Sequence, residues 1–205
     1  MDSIALRRAL ASDAPDIGRL ILLSAEHFLP AIFGPGIAKV LDELAARRGS
    51  LFGHEHVWIA EQQGMTRGML LGYPGVIKAA EDLRTGLALL RSLKADMIRR
   101  IGPLLAMQSA IGRIAKDEYY ISNVAVYPDF RGRGIGAQLI GRAVEEAGRA
   151  GIRSVVLDVE SDNAEARRLY ERIGFRKVSE TPPTTLESRR FVFFRMAMPL
   201  SAALS

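Results

Sequence analysis

The sequence predicts an α/β fold: a mixed central sheet of six to seven strands flanked by helices. Three observations carry that expectation. Short β-like runs alternate with amphipathic helical runs along most of the chain, and the last strands follow one another with no helix between them. A glycine-rich turn at Gly132, Gly134 and Gly136 joins a strand to a helix in the second half. Interleaved helices favour parallel neighbours and hairpins favour antiparallel ones, so the sheet is expected to be mixed.

Taken in order, residues 4–10 suit a first strand, and Ser12 or Asp13 can cap a helix that buries Ile17, Leu20 and Ile21. Gly34-Pro35-Gly36 stops that region, and residues 37–47 place Val40, Leu41 and Leu44 on one face of a second helix. Residues 57–61 and 68–72 read as a hairpin turning near Gln63-Gly64. From 78 to 116 the period is helical, with Leu83, Leu87, Leu90, Leu93, Met97 and Ile101 three or four apart, and Pro103 is expected to split the run into a helical hairpin. Residues 119–126 form a strand, 135–150 a helix ended by Gly151, 154–159 a buried strand, and 164–173 a helix ended by Gly174. Two strands, near 175–179 and 190–198, flank the loop TPPTTLES.

The 205 residues suit a single domain, here 1–205 with the 78–116 segment as a helical insertion. The absence of cysteine excludes disulfides, thiolate metal sites and a cysteine nucleophile, and points to a reducing cytoplasm. The amino terminus lacks the apolar stretch of a signal peptide, and no run approaches the ~20 apolar residues that span a bilayer. A net charge of +5 suits an anionic ligand and a nucleic acid equally. The insertion's arginines and lysines are partly balanced by Glu81, Asp82 and Asp96 and carry no interleaved aromatics, which favours a solvated face over a nucleic-acid surface.

What the glycine turn holds is the central question. Unpaired N–H groups and the dipole at a helix start favour a phosphate, and glycines let it come close. Read as G-x-G-x-x-A, the residues Gly132, Gly134 and Ala137 fit a dinucleotide fingerprint, with Asp158 ending the next strand. Five residues, however, separate this turn from its strand, and too little chain follows for a doubly wound sheet. Read instead as Arg131-x-x-Gly134-x-Gly136, the turn has companions downstream. DNAEARRLYERIGF gives an asparagine opening a helix, a tyrosine seven residues on, and Gly-Phe at the helix end. With the V-x-P that precedes it, this stretch resembles the GNAT superfamily, the Gcn5-related N-acetyltransferases, most strongly over residues 119–175. The insertion, between the third and fourth strands, is longer than that family's usual connection.

The resemblance implies direct transfer of an acetyl group from acetyl-coenzyme A to an amine, with no metal. Its acceptor would be a small molecule or a protein, not a nucleic acid or a membrane. The two central strands would splay to admit the cofactor. Backbone amides of Arg131, Gly132, Arg133, Gly134, Ile135, Gly136 and Ala137 would bind its pyrophosphate. Val124, Ala125 and Val126 would form a strand bulge that holds the pantetheine arm, and Asn163 would contact that arm while capping its helix. Tyr170 would protonate the departing thiolate. Asp158 is the first candidate for general base, with Glu118 and Glu160 as alternatives. The insertion is open to three roles: a lid, a homodimer surface, or a wall that selects the acceptor. His54 and His56 form a conceivable metal pair, but no third ligand has suitable spacing, which favours an ordinary polar strand start.

Overall fold

A computed structural model describes residues 3–110 and 113–200, with the backbone alone for 93–110. Its elements run β1 (Ala5–Arg8), α1 (Ala14–Ser24), α2 (Phe28–Phe33), α3 (Ile37–Ala45), β2 (Val57–Gln62), β3 (Met65–Pro74), α4 (Gly75–Ala110), β4 (Glu118–Val126), α5 (Ile135–Arg149), β5 (Ser154–Glu160), α6 (Ala164–Ile173), β6 (Arg176–Glu180), β7 (Thr184–Leu186), β8 (Arg189–Phe191) and β9 (Phe193–Pro199). Seven strands form one mixed sheet in the order β1-β2-β3-β4-β5-β9-β6, and β7 and β8 form a separate hairpin. Only β4 and β5 run parallel in the main sheet; its other five ladders are antiparallel. That arrangement excludes the parallel doubly wound sheet of a dinucleotide fold.

Strand alternation sorts the side chains onto two faces. Val57, Ile59, Met69 and Leu71 meet α1, α2 and α3, while Trp58, Ala60 and Leu70 meet Leu139, Ile140 and Ala143 of α5. The β2–β3 turn has Gln63 at φ 56° and Gly64 at φ 70°, a pair of left-handed residues whose twist matches that of the flanking strands. No helix among the described residues is long and apolar enough to cross a membrane.

Two expectations change. The insertion is one helix of 36 residues, not a hairpin, and Pro103 lies within it. Proline removes one backbone donor and costs a helix about 3 kcal/mol, a local penalty that leucine, alanine and methionine on both sides offset in part by their own preference. Ile111, expected in the hairpin's second arm, lies outside the described residues. The strand expected near 190–198 is two strands, β8 and β9, separated at Val192; β8 turns back onto β7 through Glu187 and Ser188, both at positive φ.

Candidate active site

The centre of the sheet opens because β4 carries one residue too many. Leu71 pairs with Asn123 but Gly72 pairs with Ile121, which leaves Ser122 as a bulge. The bulge expected at Val124, Ala125 and Val126 thus lies earlier, and those three keep regular pairing with β3. Gly72 fixes the place, since a Cβ there would lie 2.7 Å from the Tyr119 ring. Pairing between β4 and β5 runs from Glu118–Ser154 to Ile121–Leu157 and then stops. Beyond that point β4 still pairs with β3 as far as Val126, and β5 with β9 as far as Glu160. The two strands therefore part in mid-sheet, and the edge of β4 that faces β5 has no ladder partner from Ser122 onward.

The gap leads to the start of α5. Gly132 (φ 73°) and Gly134 (φ 77°) are left-handed, a conformation that glycine adopts without strain, and no heavy atom lies within 4 Å of where a Cβ would sit on either. Gly136 differs: a Cβ there would lie 3.3 Å from Leu169, so it serves the contact between α5 and α6. No side chain caps α5, and its first main-chain bond of this turn runs from the Gln138 N–H to the Gly134 carbonyl. The N–H groups of Ile135, Gly136 and Ala137 are therefore left to face a ligand.

A continuous cleft of about 1610 Å³ joins these features. Its wall includes Val124, Ala125, Val126, Arg131, Gly132, Gly134, Ile135, Gly136, Ala137, Asp158, Asn163 and Tyr170. Of the residues expected to bind the cofactor, Arg133 lies outside it. Its guanidinium lies 5.0 Å from the Phe130 ring centre and donates to the Asp129 carbonyl at 2.9 Å. Arg131 donates through Nε to the Val126 carbonyl at 3.2 Å, which ties the turn to the end of β4. Asn163 caps α6, its side-chain oxygen accepting from the Ala166 N–H at 3.1 Å. Two helical turns on, Tyr170 packs near Phe175, and burial pushes the pKa of its hydroxyl up to about 12, so it keeps its proton at neutrality.

The three candidate bases separate clearly. Glu118 lies at the opposite end of β4 and accepts from the Ala115 N–H at 2.7 Å. Asp158 faces the cleft, but its carboxylate is 4% exposed and is held by Arg195 and by the Tyr120 hydroxyl, which donates at 3.2 Å. Glu160 also lines the cleft, and burial, with a smaller push from Asp162, raises its pKa above the ordinary carboxylate value. Arg189, 3.5 Å away, opposes that shift.

The rest of the cleft runs between α2 and α4. Phe28, Leu29 and Phe33 of α2, with Leu51 and Phe52, face Lys78, Thr85 and Leu89 of α4. Phe28 meets Phe191 and Phe193 edge-on, at ring-centre distances of 5.3 and 4.6 Å, which fastens α2 to the β8–β9 segment. A polar relay ties β4 to the end of α1 beside the splay: Ser122 donates to Asn123 at 2.9 Å, Asn123 to Ser24 at 2.7 Å, and Ser24 to the Ile21 carbonyl at 2.7 Å. Sequence reading missed Ser24, Asn123 and Arg195, because partners 99 and 37 positions apart leave no local spacing to find. His54 and His56 diverge on a short 3-10 turn instead of sharing a strand face: His54 bonds the Ala45 carbonyl and His56 bonds Glu81 at 3.0 Å.

Among known proteins, the [ribosomal protein bS18]-alanine N-acetyltransferase of Escherichia coli K12 is 34% identical over 95 residues, 45% of this chain and 63% of that protein. The chain thus spans less than two thirds of the length of this curated relative. Among solved structures, an N-acetyltransferase from Staphylococcus aureus Mu50 superposes with a TM-score of 0.72 at 19% identity, covering 95% of this chain and all of that one. YncA from Salmonella typhimurium, solved with its cofactor acetyl-CoA, gives 0.63 at 20% identity, covering all of this chain and 98% of that one. At such identities the likeness shows the fold. Residues 41–175, most of the sequence and all of the splay, turn and α6, match the acetyltransferase (GNAT) family profile, and the chain belongs to that family.

Proposed function

We propose that this protein transfers an acetyl group from acetyl-coenzyme A directly to an amine, in a reducing cytoplasm that its cysteine-free sequence suits. The observation that carries the reading is the splay of β4 from β5, which opens onto the uncapped start of α5. The residues present fit the cofactor, because the turn at Gly132 and Gly134 is free of side chains where a phosphate would approach. Acetyl-coenzyme A supplies a thioester carbon open to attack by a neutral amine.

The N–H groups of Ile135, Gly136 and Ala137 would hold the pyrophosphate, with Gly132 and Gly134 shaping the turn and Arg131 and Arg133 adding positive charge around it. The unpartnered edge of β4 at Val124, Ala125 and Val126 would hold the pantetheine arm and polarise the carbonyl. Asn163 would steady α6 beside the arm. Tyr170, protonated at neutral pH, would give its proton to the departing sulfur. A lysine-like amine is neutral at pH 7 in only about one molecule in a few thousand, so a base helps. Glu160 takes that role in our reading, since its raised pKa favours accepting a proton and the oxygens of Asp158 are committed to Arg195. Asp158 then serves by positioning Tyr120 and the strand end. No residue is assigned to a metal.

The acceptor would enter between α2 and α4, so the described half of the insertion acts as a wall. The E. coli relative's name makes a ribosomal protein's amino-terminal alanine a natural first candidate, beside small-molecule amines. The test has two steps. Coenzyme A, but not NAD, should raise the melting temperature, and a panel of peptides and amines should reveal acceptor-dependent thiol release. Stabilisation without release by any amine would favour a noncatalytic acyl-coenzyme A binding module on the same fold.

A further inference from the structure

Five apolar residues of α4 point away from the core. Val76, Leu83, Leu87 and Leu90 are 48%, 74%, 44% and 48% exposed, and Ala80 is exposed with them. The same helix turns Thr85 and Leu89 inward, at 4% and 6% exposure, and Glu81 toward His56. One side of α4 is thus committed to the body of the protein, and the opposite side is an apolar stripe in solvent.

The spacing of that stripe identifies what covers it. Val76, Ala80, Leu83, Leu87 and Leu90 are separated by steps of four, three, four and three, and the sequence continues the pattern through Lys94, Met97, Ile101 and Leu104 within the same helix. A 3.5-residue repeat held for four heptads is the seam of a helix that packs against another helix, because a stripe facing a flat surface would follow 3.6. Between Val76 and Leu104 the seam is about 42 Å long at ~1.5 Å per residue, a length over which two helices can pack side by side.

We infer that α4 pairs with α4 of a second copy of this chain, antiparallel, to form a two-fold homodimer. The flanks of the seam choose the partner and its direction. One flank carries Arg84 and Arg91 in the first half and, at equivalent heptad positions, Ile98 and Leu105 in the second. Antiparallel pairing of two copies sets the basic flank of each against the apolar flank of the other, where arginine stems cover apolar surface. Parallel pairing would place the like charges at the same level. Lys94, the one charged residue within the seam, fits the use of a single polar position to fix register. Since the inward side of α4 lines the acceptor's part of the cleft, the pairing also braces that wall.

Sedimentation equilibrium of the full chain, up to about 100 µM, is expected to give twice its 22.5 kDa mass. Leu83→Glu with Leu90→Glu should raise the dissociation constant about 100-fold or more, because the association would bury four unpaired charges. Both positions are exposed in the single chain, so its helix content should be preserved, and circular dichroism checks this. Leu87→Lys gives a second, independent probe of the same seam. A wild-type protein that stays monomeric throughout, or folded variants that remain dimeric, would overturn the inference. So would a wild-type monomer that pairs only with an acidic helix.

Discussion

Both oxygens of Asp158 are taken by Arg195: Oδ1 accepts from Nε at 2.8 Å and Oδ2 from Nη2 at 2.9 Å. The carboxylate is 4% exposed and the guanidinium 11%. Such a pair gains little over an apolar one of equal volume, yet breaking it strands a buried charge. Its value here is placement: it links β5 to β9 beside the splay and receives the Tyr120 hydroxyl.

Arg195→Met should therefore destabilise the fold by about 3–5 kcal/mol in urea unfolding, whereas Asp158→Leu combined with Arg195→Met should recover most of that loss. If the double variant is as unstable as the single one, the pair is a net contributor and not merely a positioning device.

Glu160 predicts two pH effects of opposite sense. Burial raises its folded-state pKa, so the folded protein binds a proton that the unfolded chain has already released, and stability falls as pH rises through that window. Glu160→Gln should thus melt higher than wild type at pH 7 and at the same temperature as wild type below pH 4. Transfer needs the ionised carboxylate, so wild-type kcat should fall as pH drops through the raised pKa, and the glutamine variant should lose about 10²-fold at neutral pH. Unchanged kcat with an acceptor found in the amine panel would remove Glu160 from the chemistry.

The parts of this structure that sequence made legible are those governed by neighbours along the chain. Helix α5 and its turn were readable because a positive φ at Gly132 and Gly134 and the apolar spacing of Leu139, Ile140 and Ala143 are local demands. Helix α2 was not, since Phe28, Leu29, Ala31, Ile32 and Phe33 are all buried and leave no polar face to mark a period. The apolar spacing of α4 correctly indicated a helix but could not tell which side faces the body. Within the cleft, the turn residues follow from local spacing and line its wall, while the fate of Asp158 depended on an arginine 37 positions away.

Gly134→Asp tests the phosphate site. The substitution puts a side chain on a residue at φ 77° and a negative charge at the start of α5, where the dipole and free N–H groups favour an anion. Open space around that position means the fold should survive with a lower melting temperature, by roughly 1 kcal/mol for the left-handed conformation. Affinity for acetyl-coenzyme A, measured by calorimetry, should fall by at least about 100-fold. A folded variant with wild-type affinity would show that the anion lies elsewhere.

Tyr170→Phe removes one oxygen and keeps the ring against Phe175. Packing changes little, so affinity for acetyl-coenzyme A should stay near wild type and any loss should appear in kcat at saturating acceptor. With a pKa of about 12 the hydroxyl remains protonated throughout the working range, ready to give its proton to sulfur. A thiol of pKa ~8.5 is already a tolerable leaving group near neutrality, so the acid is helpful without being indispensable. General acid catalysis contributes about 10²–10⁴-fold, and the expected loss is about 10²-fold, at the low end of that range. The deficit should shrink as pH falls, when solvent can protonate the thiolate in the tyrosine's place. A folded variant with wild-type kcat would leave Tyr170 as packing alone and assign proton delivery to water.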